Sequence, residues 1–600
     1  MAQSEEIRYI VSIDFGTAFS GIAYAKYPED GTKLKDSNIK LPQKWPSDGG
    51  RGEKKVPTTI LFDDSEVKFG FEAIKAFTPS KQNSRCFYFE YFKMELYDKE
   101  ISKNTLLQTT YNKDLSMPML KVFSGALKHL KDAAINLIPC KHPDIHWVIT
   151  VPAIWEADAR QFMREAAKDA GILKKNVAPL EKPPRYTDDP MKLTIALEPE
   201  CASLALFDQS KDQKTYMIID CGGGTVDLCI HQKVKGFGDN CTIRECGLPS
   251  GDGWGSTFID KAFESFLETV FTFACIDYIR KNNAFALCNM LEKFRNAKED
   301  FEPKYALHLD GTPTEYVSDT VVTMEASPPF CKAVSDYYVT KKNQTNFEMK
   351  DLLIKQNKGL YENYSQFELD EKIFVTFFSP TLSKLLRHIR GLITLNKDIE
   401  TLFVVGGFGL CKLLENSLRA AFESRCTVII SDNAKTDVVK GAILYGANPT
   451  IISERISKKT YGIAVSRSFD PVKHDETHRF TNKEGKEKCR NIFLKMVEEG
   501  TSITTAKFSF ETTVTPLNKG DTEANIRIYE ADRPNITYVT EMGVKLVGSV
   551  KHPWPNPELG YDRSAKVKFN FSSTEILVVV MDMETENISF TTVNFLANQY

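Results

Sequence analysis

Residues 218–228 read IIDCGGGTVDL, with three consecutive glycines and a threonine between two aspartates. The flanking apolar residues predict two strands joined by a tight turn at Gly222, Gly223 and Gly224. Glycine packs no side chain in a strand and adds an entropic cost, so three in a row need a reason. A turn that presents backbone N–H groups to an anion supplies one, and Asp220 and Asp227 suit Mg²⁺, directly or through water. The alternative is a glycine-rich hairpin whose two acids are merely solvated.

A second stretch favours the phosphate-binding interpretation. Residues 12–21, SIDFGTAFSG, repeat the order of apolar strand, aspartate (Asp14), glycine (Gly16), threonine (Thr17) and strand. Two such hairpins could hold a phosphate chain from both sides. Neither is a P-loop, because no GK[ST] follows, and the GxGxxG pattern of dinucleotide folds is absent. A third glycine stretch, VVGGFG at 404–409, leads into a predicted helix and could place Gly406 and Gly407 against a nucleoside or phosphate.

The composition excludes several classes of function. The chain has 600 residues, 42% of them apolar and 26% charged, which predicts a soluble protein of several domains. A net charge of −3 gives no basic surface for nucleic acid or anionic membrane. Thirteen cysteines without a CxxC pair indicate reduced thiols. The N-terminus reads as a strand rather than a signal peptide, and no apolar run is long enough for a membrane span, so we expect the cytoplasm or the nucleus.

Patterning along the chain predicts an α/β part followed by a β part. Residues 156–172 form a helical pattern ending at a glycine, and 257–300 are mostly helical. Residues 311–366 have weak periodicity and are predicted to be an irregular insertion. From about residue 455 the chain becomes rich in short alternating strands, with no long helical pattern before its last residue. We place the boundary within 447–460.

Together these stretches resemble the seventy-kilodalton heat-shock protein family of the actin-like ATPase superfamily. IDFGTAFSG is similar to its first phosphate motif, IIDCGGGTVDL to its second and VVGGFG to its adenosine motif. ITVPAIWEADARQFMREAAKDAGI with ALEPECASLAL resembles its first segment crossing between lobes, and GAILYGA at 441–447 the second. The whole pattern is most similar to the divergent twelfth subfamily. The resemblance implies an actin-like fold of two α/β lobes over 1–450, with the insertion at 311–366, then an antiparallel β domain over 451–600 that lacks a helical lid.

The resemblance also implies a set of site residues. Asp14, Asp220 and Glu198 would hold Mg²⁺, mostly through water, while Lys93 would lie near the γ-phosphate and help place the attacking water. Catalysis would fall to Lys93, Glu198, Asp220 and Thr225, by positioning and electrostatics. The residues that would bind ATP or ADP are Asp14, Gly16, Thr17, Ala18, Gly222, Gly223, Gly224, Thr225, Asp227, Lys298, Gly406, Gly407 and Phe408.

The adenosine side departs from the family pattern. The family's motif helix presents a Glu, a Lys and an Arg, whereas RNAKEDF at 295–301 keeps Lys298 between Arg295 and Glu299. Phe408 and Leu410 stand where a small polar residue and an arginine are usual, and Ala18 replaces a hydroxyl residue. The prediction is that phosphate and metal recognition are retained and the contact with adenosine is altered.

The resulting function is a Mg²⁺-dependent, slow ATPase that acts as an atypical chaperone or nucleotide-gated adaptor. Its partners would be nucleotide and a protein or peptide client at the β domain, without nucleic acid or a membrane span. Two alternatives stay open at this point. One is a nucleotide-sensing module with negligible hydrolysis, and the other is a sugar-type small-molecule kinase of the same superfamily.

Overall fold

The computed structural model describes residues 8–28, 33–50, 52–63, 66–77, 86–97, 99, 101–102, 104–140, 143–176, 186–188, 192–207, 214–235, 241–315, 320–325, 327–356, 358–363, 366–504, 509–570, 577–586 and 588–592. Across these ranges the chain forms mixed α/β structure with several sheets. Within the same ranges, none of the helices has both the length and the apolar character that a bilayer crossing requires.

Up to residue 205 the chain alternates strands and helices. The strands are β1 (Arg8–Asp14), β2 (Phe19–Lys26), β3 (Val56–Pro57), β4 (Thr59–Phe62), β5 (Val67–Phe69), β6 (Phe87–Glu90), β7 (Leu106–Gln108), β8 (Ser116–Pro118), β9 (Asp144–Val151), β10 (Lys174–Asn176), β11 (Tyr186–Asp188) and β12 (Leu193–Leu197). The helices are α1 (Phe71–Ala76), α2 (Met119–Leu137), α3 (Ala157–Asp169) and α4 (Glu198–Ala205), and a 3₁₀ turn spans Phe92–Leu96.

The remaining elements fall into two groups. From 215 to 447 they are β13 (Thr215–Cys221), β14 (Val226–Lys235), β15 (Cys241–Glu245), β16 (Ser250–Asp252), β17 (Val321–Glu325), β18 (Leu360–Asn363), β19 (Gln366–Asp370), β20 (Thr401–Val405), β21 (Thr427–Ile430), and the helices α5 (Thr257–Phe271), α6 (Phe273–Asn282), α7 (Ala284–Glu299), α8 (Pro328–Lys342), α9 (Met349–Gln356), α10 (Glu371–Leu395), α11 (Lys412–Phe422) and α12 (Asp437–Ala447). Beyond them lie β22 (Ile452–Ile456), β23 (Thr460–Ser468), β24 (Arg479–Thr481), β25 (Glu487–Val497), β26 (Ser502–Thr504), β27 (Ser509–Val514), β28 (Glu523–Ala531), β29 (Lys545–Pro553), β30 (Ala565–Asn570), β31 (Leu577–Asp582) and β32 (Ile588–Thr592).

The first sheet has the strand order β12–β9–β1–β2–β3. Its central strand, β1, runs parallel to β9 and antiparallel to β2. Helix α3 shows why the sequence pattern was readable, since Phe162, Met163, Ala166 and Ala170 are all buried in the core that covers this sheet. Gly171, with φ of +74°, adopts the left-handed conformation that ends the helix.

The second sheet carries the quoted glycine stretch. Its order is β21–β20–β13–β14–β15–β22–β26, with β16 paired to β14. β13 is buried along its whole length, which explains the unbroken apolar run before the glycines. Helices α5, α7 and α10 cover one face through a large core cluster that contains Phe263, Phe294 and Phe377.

Helices α4 and α12 join the two sheets. They contribute Cys201 and Ala442, among others, to one core cluster that also contains Ile10 of the first sheet and Ile218 of the second. The second segment that the resemblance identified as a crossing between lobes is α12, and the ALEPECASLAL part of the first contains α4, so these parts form a helix pair packed between both sheets. The other part of the first segment ends β9 and forms α3, which packs in the core of the first sheet. Because α4 begins at Glu198, this packing fixes the position of a predicted site residue.

The segment 311–366 is not irregular, contrary to the sequence-based prediction. It contains α8, α9 and two strands, β17 and β18, which flank β19 in a three-stranded sheet. Ser327 caps α8 by accepting a hydrogen bond from the Phe330 N–H, and Pro328 takes the first helical position. The buried residues of α8 recur at helical spacing, so the signal was present but masked by the many polar residues around it. These residues are Phe330, Ala333, Val334, Tyr337 and Tyr338.

Most of the strands after β22 form two antiparallel sheets. One has the order β24–β25–β23–β28–β29 and the other β27–β30–β31–β32. They share a core cluster that includes Ile463, Ile528, Val567 and Val578. Alternate residues of β30 are buried, as the alternating sequence predicts for strands with one covered face.

Strand β22 belongs to the second sheet although it lies beyond residue 450. It pairs in parallel with β15, and its Arg455 makes two hydrogen bonds to the buried Glu200 of α4, of 2.6 and 2.9 Å. The Ile456 N–H donates to the Glu245 carboxylate at 2.7 Å. The start of the C-terminal part is therefore tied to the helix that carries Glu198.

Glu245 makes stability depend on pH. Burial raises the pKa of this carboxyl from 4.5 to about 7, so between these values the folded protein keeps a proton that the unfolded chain has released. The free energy of unfolding accordingly falls as the pH rises through this window. We expect Glu245→Gln, which resembles the protonated form, to raise the free energy of unfolding at pH 8 by about 2 kcal/mol, and not at pH 4.5.

Urea unfolding between pH 4.5 and 8 measures this difference. The exposed Glu558 provides the matched control, because Glu558→Gln removes the same charge from the surface. A gain in Glu245→Gln that is the same at every pH would contradict the prediction.

Candidate functional site

The turn between β1 and β2 forms the first glycine hairpin. Its glycine is required by space, since a Cβ on Gly16 would lie 2.2 Å from the Phe19 carbonyl oxygen. Thr58 holds the turn by two hydrogen bonds of 2.8 Å, from its hydroxyl to the Gly16 carbonyl and from its N–H to the Ala18 carbonyl. Asp14, the last residue of β1, is buried beside this turn.

The turn between β13 and β14 forms the second hairpin. The Gly222 N–H donates to the Thr225 carbonyl at 3.1 Å and closes the turn. The carbonyls of the three glycines accept from the backbone N–H groups of Ser256, Thr257 and Gly255, which precede or begin α5, at 2.9–3.3 Å. A turn held through its carbonyls can direct N–H groups the other way, towards an anion.

The two hairpins face each other at close range. A Cβ on Gly224 would lie 2.6 Å from the Thr17 hydroxyl oxygen and 2.2 Å from the Met94 sulfur. A Cβ on Gly223 would lie 2.8 Å from that of Ala18. The glycines at 223 and 224 are thus required by the approach of the opposite turn, and neither has the left-handed φ that would require glycine by itself.

Four carboxylates are buried at the base of the hairpins: Asp14, Glu198, Asp220 and Asp227. Burial, reinforced by the neighbouring carboxylates, raises the pKa of Asp220 well above its usual value. Burial likewise raises the pKa of Glu198 to about 7, although Lys93 opposes the change. Asp227 has two donors, the Ile154 N–H at 2.9 Å and the Thr225 hydroxyl at 3.0 Å, and burial still raises its pKa.

Two lysines oppose these negative charges. Lys93, in the 3₁₀ turn Phe92–Leu96, donates to Glu198 at 2.8 Å and has its ammonium 5.2 Å from the centre of the Trp155 ring. It is buried, so it is not a surface lysine. Lys55 donates to Asp14 at 2.5 Å. Burial alone would lower the pKa of Lys55, but Asp14, Asp220 and Glu198 together raise it.

The third glycine stretch borders the same cluster. Gly406 has a φ of +81°, and a Cβ there would lie 2.3 Å from the Cys221 carbonyl oxygen and 2.7 Å from an Asp220 carboxylate oxygen. At Gly407 a Cβ would meet open space. The Phe408 side chain is buried in the core cluster that contains Phe263 and Phe294, so a nucleotide contact at this position would fall to its backbone.

Lys298 lies beside the second hairpin, near the start of α5. Its ammonium forms an ion pair with Asp260 and donates to the Ser256 carbonyl at 3.2 Å. The adjacent Arg295 also contacts Asp260, and reaches Glu90 of β6 at 3.5 Å. Lys298 therefore supports the segment that holds the glycine carbonyls, and Arg295 links α7 to β6.

Sequence reasoning missed Lys55 and Thr58, which lie in EKKVPTTI at 53–60, outside all the motifs that the sequence offered. The available signal was that Val56 and Pro57 are apolar and lie between polar residues. These two residues form β3, which pairs with β2. Because β3 lies beside the first hairpin, the residues on either side of this strand, Lys55 and Thr58, lie at the candidate site.

The residues fit a nucleotide with Mg²⁺ bound through water. The cluster holds four buried carboxylates against two ammonium groups, an excess of negative charge that a divalent cation would offset. No group of three or more His, Cys, Asp or Glu side chains among the described residues is arranged to hold a metal ion directly. Water between carboxylates and ion is ordinary for Mg²⁺, which dehydrates reluctantly.

Comparison with known proteins gives one consistent relationship. No family model matches the chain. The chain is 26% identical to heat shock 70 kDa protein 12A of Homo sapiens, over 99% of its own length and 93% of that protein. It is also 26% identical to human heat shock 70 kDa protein 12B, over 99% and 92%. Human heat shock 70 kDa protein 13 is 25% identical over 38% of this chain and 45% of its own length. The resemblance drawn from the sequence motifs is confirmed.

Proposed function

Because this chain is a full-length relative of the seventy-kilodalton heat-shock proteins of the 12A and 12B type, we propose that it binds ATP and ADP between its two glycine hairpins and slowly hydrolyses ATP to ADP and phosphate. The observation that carries the proposal is the approach of Gly223 and Gly224 to Ala18 and Thr17 above four buried carboxylates. The proposed fold is actin-like, with a C-terminal antiparallel β domain.

The chain's own groups account for the proposed chemistry. N–H groups of both turns, with the hydroxyls of Thr17 and Thr225, would bind phosphate oxygens. Lys93 would offset developing charge and orient the attacking water, with Glu198 as its partner. Mg²⁺, held through water by Asp14, Asp220 and Glu198, would supply further electrostatic stabilisation of the phosphates.

The wider role we propose is that of an atypical chaperone or nucleotide-gated adaptor of the cytoplasm or nucleus, with domains at 1–450 and 451–600. The contact between Arg455 and Glu200 supports it. Closure of the lobes around nucleotide would move α4, and this contact would transmit the movement to the position of β22. An exposed strand edge of the C-terminal sheets could add an extended client peptide. The net charge of −3 argues against nucleic acid as a partner.

A second candidate is a nucleotide sensor with negligible hydrolysis. Lys93 is bonded to Glu198 and Thr225 to Asp227, so two groups assigned to catalysis are already held by other protein groups. Hydrolysis would then require these bonds to exchange when nucleotide binds.

Single-turnover hydrolysis distinguishes the two candidates. We expect wild-type protein to hydrolyse bound ATP slowly, and Lys93→Ala and Thr225→Ala each to lower the rate about 100-fold by removing transition-state stabilisation. Lys128→Ala, on the exposed face of α2, should match wild type. Equal and near-zero rates in all four proteins would refute the ATPase candidate and favour the nucleotide sensor. Calorimetric titration with ATP, ADP and GTP, with and without Mg²⁺, tests binding itself, and its absence would refute both candidates.

A further inference from the structure

Lys55 reaches Asp14 across three adjacent strands of the first sheet. Asp14 on β1 is paired with Gly21 on β2, and β2 in turn pairs with β3, which begins directly after Lys55. A Cβ on Gly21 would lie 3.2–3.7 Å from three of the Lys55 side-chain carbons. The glycine thus leaves a trough along which the lysine stem runs to the carboxylate.

This ammonium lies inside the carboxylate cluster. The Lys55 side chain is only 17% exposed and that of Asp14 5%, and their atoms are 2.5 Å apart. Attraction from Asp220 and Glu198 acts on Lys55 as well as that from Asp14. Removing one partner of a pair this buried leaves an uncompensated charge, so without the lysine Asp14 would attract another cation.

We propose that Lys55 is a built-in cation of the nucleotide site, which occupies Asp14 and lowers the dependence of nucleotide binding on divalent metal. The inference rests on the proposed function. When a nucleoside di- or triphosphate enters between the hairpins, the Lys55 ammonium is the positive charge at the first hairpin and can donate to a phosphate oxygen while it remains near Asp14.

The first test needs no nucleotide. Mn²⁺ is titrated into the nucleotide-free protein and followed by the electron paramagnetic resonance of the free ion. Lys55→Met removes one of the two lysines that oppose the four carboxylates and leaves Lys93. We therefore expect this variant to bind Mn²⁺ at least about tenfold more tightly than wild type. Lys55→Arg keeps the charge and should bind like wild type. Equal Mn²⁺ affinity in wild type and Lys55→Met would overturn the proposal.

The second test measures ADP affinity by calorimetry with Mg²⁺ and with EDTA. We expect removal of metal to weaken wild-type binding less than about tenfold and Lys55→Met binding more than about 100-fold, because one unit of charge near the phosphates is lost. Lys54→Met, at the neighbouring exposed lysine, should behave like wild type. Gly21→Ala displaces the Lys55 side chain, so its ADP affinity should depend on metal more strongly than that of wild type, as in Lys55→Met.

The outcomes separate this inference from the proposed function. A wild-type protein that binds no ADP under either condition refutes the nucleotide site, while the Mn²⁺ titration still decides the role of Lys55. A wild-type protein that binds ADP with the same metal dependence as Lys55→Met refutes the inference alone. Thermal unfolding with and without Mg²⁺ shows whether Lys55→Met is folded. A folded variant whose melting temperature rises more with Mg²⁺ than that of wild type supports the proposal.

Discussion

Replacement of Gly441 by alanine is expected to lower the free energy of unfolding by about 3 kcal/mol or more, the upper range for overpacked cores. Gly441 lies in α12 where this helix crosses α4, and a Cβ there would lie 1.7 Å from the Cys201 carbonyl oxygen. The obstacle is backbone of α4 rather than the end of a flexible side chain. The two helices would have to separate, and the core that joins both sheets would open with them.

A second glycine within a helix provides the control. Gly391 of α10 is exposed, and a Cβ there would meet nothing within 4 Å. Gly391→Ala should therefore stabilise the protein by up to about 1 kcal/mol, the ordinary gain of alanine over glycine in a helix. Urea or thermal unfolding of both variants measures the contrast, and similar values for the two would contradict the role given to Gly441.

Gly441→Ala should also affect the proposed nucleotide site. Because α4 begins at Glu198, displacement of the helix moves the partner of Lys93. We expect any folded Gly441→Ala protein to bind ADP more weakly than wild type, as measured by calorimetry, whereas Gly391→Ala binds it equally.

The two glycine hairpins of the candidate site were predictable because their signals are local. A strand that ends in an aspartate, followed by glycine and threonine, describes a complete hairpin within ten residues, and both hairpins lie where such stretches occur. The burial of Phe162 and Met163 on one face of α3 follows from helical spacing in the same way.

What could not be predicted depends on contacts between distant segments. Lys55 reaches Asp14 only because three strands align and Gly21 has no side chain, and neither register can be read from EKKVPTTI. The reason for glycine at 441 is equally distant, because the atom it avoids belongs to Cys201. In α8 the periodicity itself was present, and polar residues around it concealed the helix.

Arg455 illustrates the same limit and gives the second prediction of large effect. The stretch SERISKKT at 453–460 is polar and basic, yet Arg455 is buried and bonded to Glu200, 255 residues away in sequence, and to the Tyr445 hydroxyl at 2.9 Å. Arg455→Met leaves the Glu200 carboxylate buried without this cation, which costs about 3–5 kcal/mol for pairs of this kind. Urea unfolding measures the loss, and hydrogen exchange of β22 should rise in the same variant because the strand is no longer held to α4.

Two comparisons identify the cause of that loss. Lys551→Met removes a cation from the exposed pair with Glu523 and should change stability little. Adding Glu200→Gln to Arg455→Met removes the uncompensated charge, so the double variant should be more stable than the sum of the single losses predicts. Additive losses would show that Arg455 acts by packing alone. A coupled loss, together with weaker ADP binding in Arg455→Met, would mean that β22 and the nucleotide site are linked through the one helix that carries both Glu198 and Glu200.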